Sequence, residues 1–440
     1  MAVTSTGEPP ALEPEAVLRR APFSDNPQVG ARGLRTQQRI LDAALRVFGE
    51  SGYHQCNIDA ITKVAGCSRV SFYQYFESKE DVFRRLATQV ARQLDASNDR
   101  LDPLTPDLRG WESLREWVGR YADVYERYEP VFQAFPAAAE SDSTLAGDSV
   151  RTGDRYVVGV RARIDAAALA PRELVPVIEV LLASLPRTLD DGSTLRLATP
   201  RAFPIDALLD AFTDVSHRSL FGLQPDVNVH EHRIARPPKL AFRDALRTAL
   251  TPEAAAEPAP NHAARRALVH AAREVFAARG YHGTRVVDIV AAADVSHGAF
   301  YRYFKSKEEI ALVLSAQAMQ SVSTALTEIP DASDPEAANR AALRRWLRGY
   351  TRAQSSETAM FRVRIDAALQ DESMVADSAA LLDWGRRRIA RFLAPRGFGD
   401  VDTEAIVLLA LIDALGVREQ PARTIDAAVQ VIERGFLGRT

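Results

Sequence analysis

Two stretches of this chain are near copies of one another. Val295–Glu308 reads VSHGAFYRYFKSKE and Cys67–Glu80 reads CSRVSFYQYFESKE, so both carry the pattern Ser-x-x-x-Phe-Tyr-x-Tyr-Phe-x-Ser-Lys-Glu. Tyr281 follows Tyr53, and Lys307 follows Lys79, by the same 228 positions. No gap is needed from Arg39 through Phe83 and their counterparts. A chain of 440 residues has room for two to four domains, and here one small module occurs twice.

Within the module the apolar spacing is helical. Ile40, Leu41, Ala44, Leu45, Val47 and Phe48 recur at three- and four-residue steps. Thr36 stands ahead of them as an expected cap, and Gly52 closes the run. Asn57 is placed to cap a second helix that turns Ile58, Ile61, Val64 and Ala65 inward, and Gly66 breaks it. Ser68 opens a third helix and Ser78 a fourth, whose first turn carries Glu80 and Asp81 at its positive end. The second copy repeats the plan with Ala272, Phe276 and Gly280, then Ile289 and Ala293, then Ser296 and Ser306. Short helices with a tight turn before the third form a helix-turn-helix.

Ala44, Phe48, Gly52, Tyr53, Ile61, Ala65, Ser68, Phe72, Tyr73, Phe76, Ser78, Lys79 and Glu80, with Ala272, Phe276, Gly280, Tyr281, Ile289, Ala293, Ser296, Phe300, Tyr301, Phe304, Ser306, Lys307 and Glu308, carry a family resemblance. Both copies resemble the DNA-binding domain of the TetR family of bacterial transcriptional regulators. The resemblance implies an all-α chain: two helix-turn-helix domains, each followed by a helical regulatory domain, arranged as an intramolecular pseudo-dimer. The expected division is a flexible N-terminal arm at 1–33, a first head at 34–94, a first regulatory domain at 95–223, a linker at 224–261, a second head at 262–322 and a second regulatory domain at 323–440. Arg32, Arg35 and Arg39 could reach phosphates from the arm. Two departures stand out. Where the family commonly starts its second helix with Thr or Ser, this chain has Asn57 and Arg285; a guanidinium only donates, so Arg285 cannot cap as an acceptor. Cys67 and Asp294 stand where glycine often lies in the turn.

The resemblance places a recognition helix in the major groove. In the first head it implies Asn57, Ser68, Arg69, Val70, Ser71, Gln74 and Tyr75 facing DNA, with Tyr73 and Lys79 on the backbone. In the second it implies Arg285, Ser296, His297, Gly298, Ala299, Arg302 and Tyr303, with Tyr301 and Lys307 on the backbone. The two faces differ. Arg favours guanine and Gln adenine, so Arg69 and Gln74 against His297 and Arg302 imply an operator with two unlike half-sites. Heads in successive major grooves lie about 34–36 Å apart.

After each head the chain is helical and interrupted by Pro and Gly. Trp117, Tyr121, Tyr125 and Tyr128 fall on one helix face, with Phe132 beyond them. Trp346, Tyr350 and Phe361 repeat Trp117, Tyr121 and Phe132 at an offset of 229, while Val431–Gly438 repeats Val215–Gly222 at 216. The whole regulator is therefore duplicated, with 13 extra residues in the first half, expected near Asp190–Pro204. The aromatic set is either core or the wall of a site for a small-molecule effector; the resemblance favours the second reading, with Trp117, Tyr121, Tyr125, Phe132, Trp346, Tyr350 and Phe361 as its residues. In the family the last two helices pair across a dimer.

Composition excludes other classes. No run of 18 apolar residues is present, so no membrane span is expected. The N-terminus lacks the layout of a secretory signal, and two cysteines, Cys56 and Cys67, fit a reducing cytoplasm. A net charge of −3 leaves phosphate contact to local groups. No nucleophile elbow, phosphate loop or paired-carboxylate motif points to an enzyme, and no cofactor is implied. His230-Glu231-His232 is too short for a closed metal site. The expected partners are a double-stranded DNA operator and a small-molecule effector. The expected form is a one-chain pseudo-dimer, open to further self-association. The alternative makes one head a scaffold, with two chains joining to read a palindrome.

Overall fold

The computed structural model describes residues 30–164, 167–199, 202–227, 239–240, 263–368, 372–416 and 421–439. Most of the expected arm, most of the expected linker and the triplet His230-Glu231-His232 lie outside them. The described residues are helical, apart from loops and one isolated bridge between Leu104 and Ile164. They form two compact units divided between Ala87 and Thr88.

The first unit holds α1 (Ala31–Ser51), α2 (Ile58–Ala65), α3 (Arg69–Tyr75) and the start of α4 (Lys79–Asp99). The caps follow from chemistry that the sequence displays. Gly52 takes φ 75° and donates its N–H to Phe48 O at 3.0 Å; the Asn57 side chain accepts from Ala60 N at 2.9 Å and Ser68 Oγ from Ser71 N at 3.1 Å. Ile40, Ala44, Phe48, Ile61, Phe72, Phe76 and Val82 meet in the core. Thr36 does not cap. α1 begins at Ala31, which brings residues 31–33 of the expected arm into the helix, and the Thr36 hydroxyl donates back to Arg32 O at 3.1 Å. Val64 is exposed rather than inward-facing.

The second unit contains everything from Thr88 onward. Its first half is built from α5 (Leu108–Ser141), α6 (Ser143–Ala162), α7 (Pro171–Ala198) and α8 (Ile205–Phe221). α5 bends at Tyr128, two residues before Pro130, whose ring cannot sit against the preceding turn of a straight helix. The second head follows as α9 (Ala263–Arg279), α10 (Val286–Ala292), α11 (His297–Tyr303) and α12 (Lys307–Thr327). α12 is long and apolar enough to cross a membrane by length and composition, and half of its most apolar window is buried in the protein. The second regulatory half is α13 (Arg340–Ala368), α14 (Glu372–Leu393), α15 (Val401–Leu415) and α16 (Ala422–Val431), which runs on into a π-helical turn at Ile432–Phe436.

The 13 extra residues lie where the spacing puts them, but as helix rather than loop. α7 has 28 residues and its counterpart α15 has 15. Gly192 sits inside α7 because a Cβ there would meet Leu208 Cδ2 at 2.4 Å, so it serves close packing on α8 and not a break.

The two halves meet in a reciprocal contact. Arg218 on α8 donates from Nε to Gly435 O at 2.7 Å, and Arg434 donates from Nε to Ser219 O at 3.2 Å. Positions 218 and 434, and 219 and 435, are equivalent at the offset of 216. Each arginine therefore grips the carbonyl that follows its own counterpart, which is the signature of a two-fold interface, formed here within one chain. Gly435 permits the approach, since a Cβ there would meet Ser219 Oγ at 2.3 Å.

The symmetry fails in the charges. Arg218 and Arg396 share the buried carboxylate of Glu404, each at 2.7 Å, and both guanidiniums lie on the Phe398 ring. A second charged group, half-buried at Arg187 and Asp190 and buried at Asp191, joins the halves where Arg187 of α7 pairs with Asp190 at 3.0 Å and Asp191 at 3.3 Å and reaches Asp413 of α15 at 4.0 Å.

Candidate nucleic-acid interface

The two heads are built alike, one in each unit. Ser68 and Ser296 accept from the backbone N–H three residues on, at 3.1 and 3.2 Å, and so fix the first turn of α3 and of α11. Phe72 and Phe76, like Phe300 and Phe304, are buried. Their packing leaves the opposite face of each recognition helix in solvent. Arg69, Val70, Tyr73 and Gln74 are exposed on α3, and His297, Gly298, Tyr301 and Arg302 on α11; Ser71 and Ala299 are half-buried. Asn57, Ser68, Arg285 and Ser296 are exposed at the helix starts.

Tyr75 does not face outward. It is 9% exposed and packs with the core, while Tyr303, half-buried, packs on the core of the second head. A step of three from Phe72 returns to the buried face, so the spacing Phe72, Tyr75, Phe76 is a core stripe.

Lys79 and Lys307 do more than present charge. The Lys79 ammonium donates to Tyr53 O at 2.9 Å and lies 4.5 Å from the centre of the Tyr53 ring. Lys307 donates to Tyr281 O at 2.9 Å and Thr284 O at 3.1 Å, with the Tyr281 ring 4.1 Å away. Each lysine thus closes the loop after the first helix of its head. An ammonium has three donors, so each keeps at least one beyond these bonds. Partial burial pulls the Lys307 pKa down.

The left-handed position of the turn is Asp294 in the second head, as the sequence implies, with φ 50°, and in the first it falls one residue before Cys67, at Gly66 with φ 61°. Burial pushes the Cys56 thiol up to about 11, away from a reactive thiolate. At Arg285 the cap comes from elsewhere. Asp288 accepts the Arg285 N–H at 2.9 Å and receives Arg279 at 2.7 Å, which holds its pKa below the usual carboxylate range and leaves the Arg285 side chain at the surface.

Asp59, which no spacing in the sequence picks out, pairs with Arg69 at 3.4 Å at the surface. The second head has Val287 and His297 at these positions, with Val287 half exposed and the His297 and Tyr301 rings near parallel at 6.4 Å. Gly298 has room for a side chain, since a Cβ there would meet only Ser296 Oγ, at 3.9 Å.

Residues 40–86 and 268–314 both match the family described as bacterial regulatory proteins, tetR family. Both heads are TetR-family domains. The chain is 40% identical over 58 residues to the HTH-type transcriptional regulator YdgC of Bacillus subtilis, which is 13% of this chain and 30% of that protein. It is 36% identical over 90 residues to the HTH-type transcriptional regulator TtgW of Pseudomonas putida, 20% of this chain and 63% of that protein. It is 46% identical over 44 residues to the fatty acid metabolism regulator protein of B. subtilis, 10% of this chain and 23% of that protein. The chain thus spans about a quarter to two thirds of the length of these relatives, and two TetR-type heads in one polypeptide make it a tandem TetR-like chain.

Several aromatic residues of the regulatory halves pack on one another. Trp117 and Tyr121 have ring centres 6.4 Å apart at 41°, and Trp346 and Tyr350 6.1 Å apart at 43°. Tyr125 and Tyr121 flank Phe132 at 5.0 and 6.2 Å. Phe361 lies half-buried against the core of the second head, away from that grouping.

Proposed function

We propose that this protein is a cytoplasmic DNA-binding transcriptional regulator, a repressor released by a small molecule, whose two heads read two unlike half-sites of one operator. The observation that carries the reading is the pair of exposed recognition faces on identical scaffolds with different side chains: Arg69 and Gln74 on one, His297 and Arg302 on the other. Phosphate contact comes from Tyr73, Tyr301 and the spare donors of Lys79 and Lys307, and it fixes register without reading sequence. Base contact comes from the side chains that differ. The reciprocal arginine contacts supply within one chain the two-fold contact that a homodimer makes between two.

A ligand that binds the helical halves better when the heads are misplaced weakens DNA binding by the same coupling energy. Two experiments test the scheme. Selection of bound fragments from random DNA should return a site whose halves differ, with one chain per site by light scattering. A perfect palindrome bound by two chains, with one head of each idle, would exclude the unlike-half-site reading.

A further inference from the structure

We infer that Val70 of the first recognition helix reads the 5-methyl group of a pyrimidine, thymine or 5-methylcytosine, in one half-site, and that Gly298 at the equivalent position frees the other half-site of that requirement. The inference rests on the proposed reading of two unlike half-sites and adds a residue and a functional group to it.

Val70 is 73% exposed on α3. It stands next to Arg69 and one turn before Gln74, on the face that turns away from the buried Phe72 and Phe76. The fold gives no reason for a valine there. Valine is stiff at χ1 and forms helix less readily than alanine, and with most of its surface in water no packing offsets that cost. A lone exposed valine elsewhere would need no explanation, but this one lies between the two side chains proposed to read bases. The base edges in the major groove are polar donors and acceptors except for the pyrimidine C5-methyl. An apolar side chain pressed into that groove therefore has one partner from which both gain by leaving water.

The second head supplies the contrast. At the offset of 228, position 70 becomes Gly298. Glycine inside a helix is less stable than alanine, and the protein does not require it here. Gly298 is not among the residues with positive φ, and a Cβ built on it would meet only Ser296 Oγ, at 3.9 Å. The scaffold thus accepts a side chain at 298 and the sequence withholds one. The exposed valine of the second head, Val287, belongs to α10 and not to the recognition helix.

Binding of the full-length protein to its selected operator tests this, with each thymine in turn replaced by deoxyuridine, which removes the methyl and keeps every hydrogen-bonding group. One such replacement, in one half-site, should weaken binding about three- to fivefold, the worth of one buried methyl group. Val70→Ala, which favours helix, should abolish that loss, and Val287→Ala should leave it unchanged. Gly298→Val should create the same dependence on a site with thymine at the equivalent position of the other half. Cytosine and 5-methylcytosine at the responsive position separate the two sources: recovery by 5-methylcytosine extends the reading to methylated DNA, and recovery by thymine alone confines it to sequence. Tolerance of deoxyuridine at every position, a loss that persists in Val70→Ala, or one that disappears in Val287→Ala overturns the inference. Unlike halves without any deoxyuridine effect leave the half-site reading standing and remove Val70 as a methyl reader. A palindrome bound by two chains, with a deoxyuridine effect that Val70→Ala abolishes, does the reverse.

Discussion

Arg302 and Lys307 lie five residues apart and should fail differently when removed. Arg302 is exposed and makes no structural bond that α11 needs, so Arg302→Ala should relax base preference in one half-site, by about 1–3 kcal/mol of discrimination, and leave thermal stability unchanged. Lys307 closes a loop with two hydrogen bonds. Lys307→Ala should therefore weaken binding to every sequence and also destabilise the second head, by roughly 1 kcal/mol after allowance for its partial exposure. Competition titrations on sites mutated one half at a time, with melting curves beside them, separate the two; equal loss on all sites in both variants would remove Arg302 as a base reader. Asp191 gives a pH prediction. Burial pushes its carboxyl up to about 8, with Arg187 opposing the rise and Asp413 and Asp190 adding to it, and Tyr350 lies nearby on Asp413. Below its unfolded pKa both states are protonated. Between there and about 8 the native state holds the proton more tightly, so unfolding releases it and stability falls as pH rises. Asp191→Asn has no such proton, and its stability should drop less from pH 5 to pH 8 than that of wild type, by about 1–2 kcal/mol in denaturant titrations.

The helices of the heads were legible in the sequence because their limits are set locally. Gly52 closes the turn before it, Asn57, Ser68 and Ser78 cap the turn after them, and their chemistry does not depend on what lies across the fold. Elements set by distant neighbours were not legible. Gly192 reads as a breaker until Leu208 is placed beside it, and Thr36 reads as a cap although the helix has already begun at Ala31. Tyr75 reads as a surface residue because a seven-residue helix gives too little periodicity to separate a face of three from a face of four. The ion pair between Arg273 of α9 and Glu357 of α13, at 2.6 Å, belongs to the same class. At the offsets of 228 and 229 its positions are Leu45 and Tyr128, so the first head cannot form it. Arg273→Leu should raise amide hydrogen exchange in α9 and leave that of α1 alone.

Glu404 carries the joint between the halves. It is the carboxylate that Arg218 and Arg396 share, and neither guanidinium is exposed to water. Glu404→Gln leaves two buried cations facing each other and should cost about 3–5 kcal/mol. The companion change Arg396→Met should recover part of that loss; if Glu404→Gln melts like wild type, the network is not what joins the halves. The duplicated plan of heads, aromatic pairs and terminal helices could be read from offsets alone, whereas the unequal charges could not, because Glu404 joins the nearby Arg396 to Arg218, which is 186 positions away.

The arginine pair at the joint has one more consequence. A reader assembled from two separate polypeptides must meet its partner before it can straddle an operator, so its occupancy falls with the square of its abundance once dilution passes the dissociation constant. Here both reading helices arrive on one covalent thread, and the local concentration of one half around the other is fixed by the connecting chain. Occupancy should then follow abundance to the first power down to a handful of copies per cell.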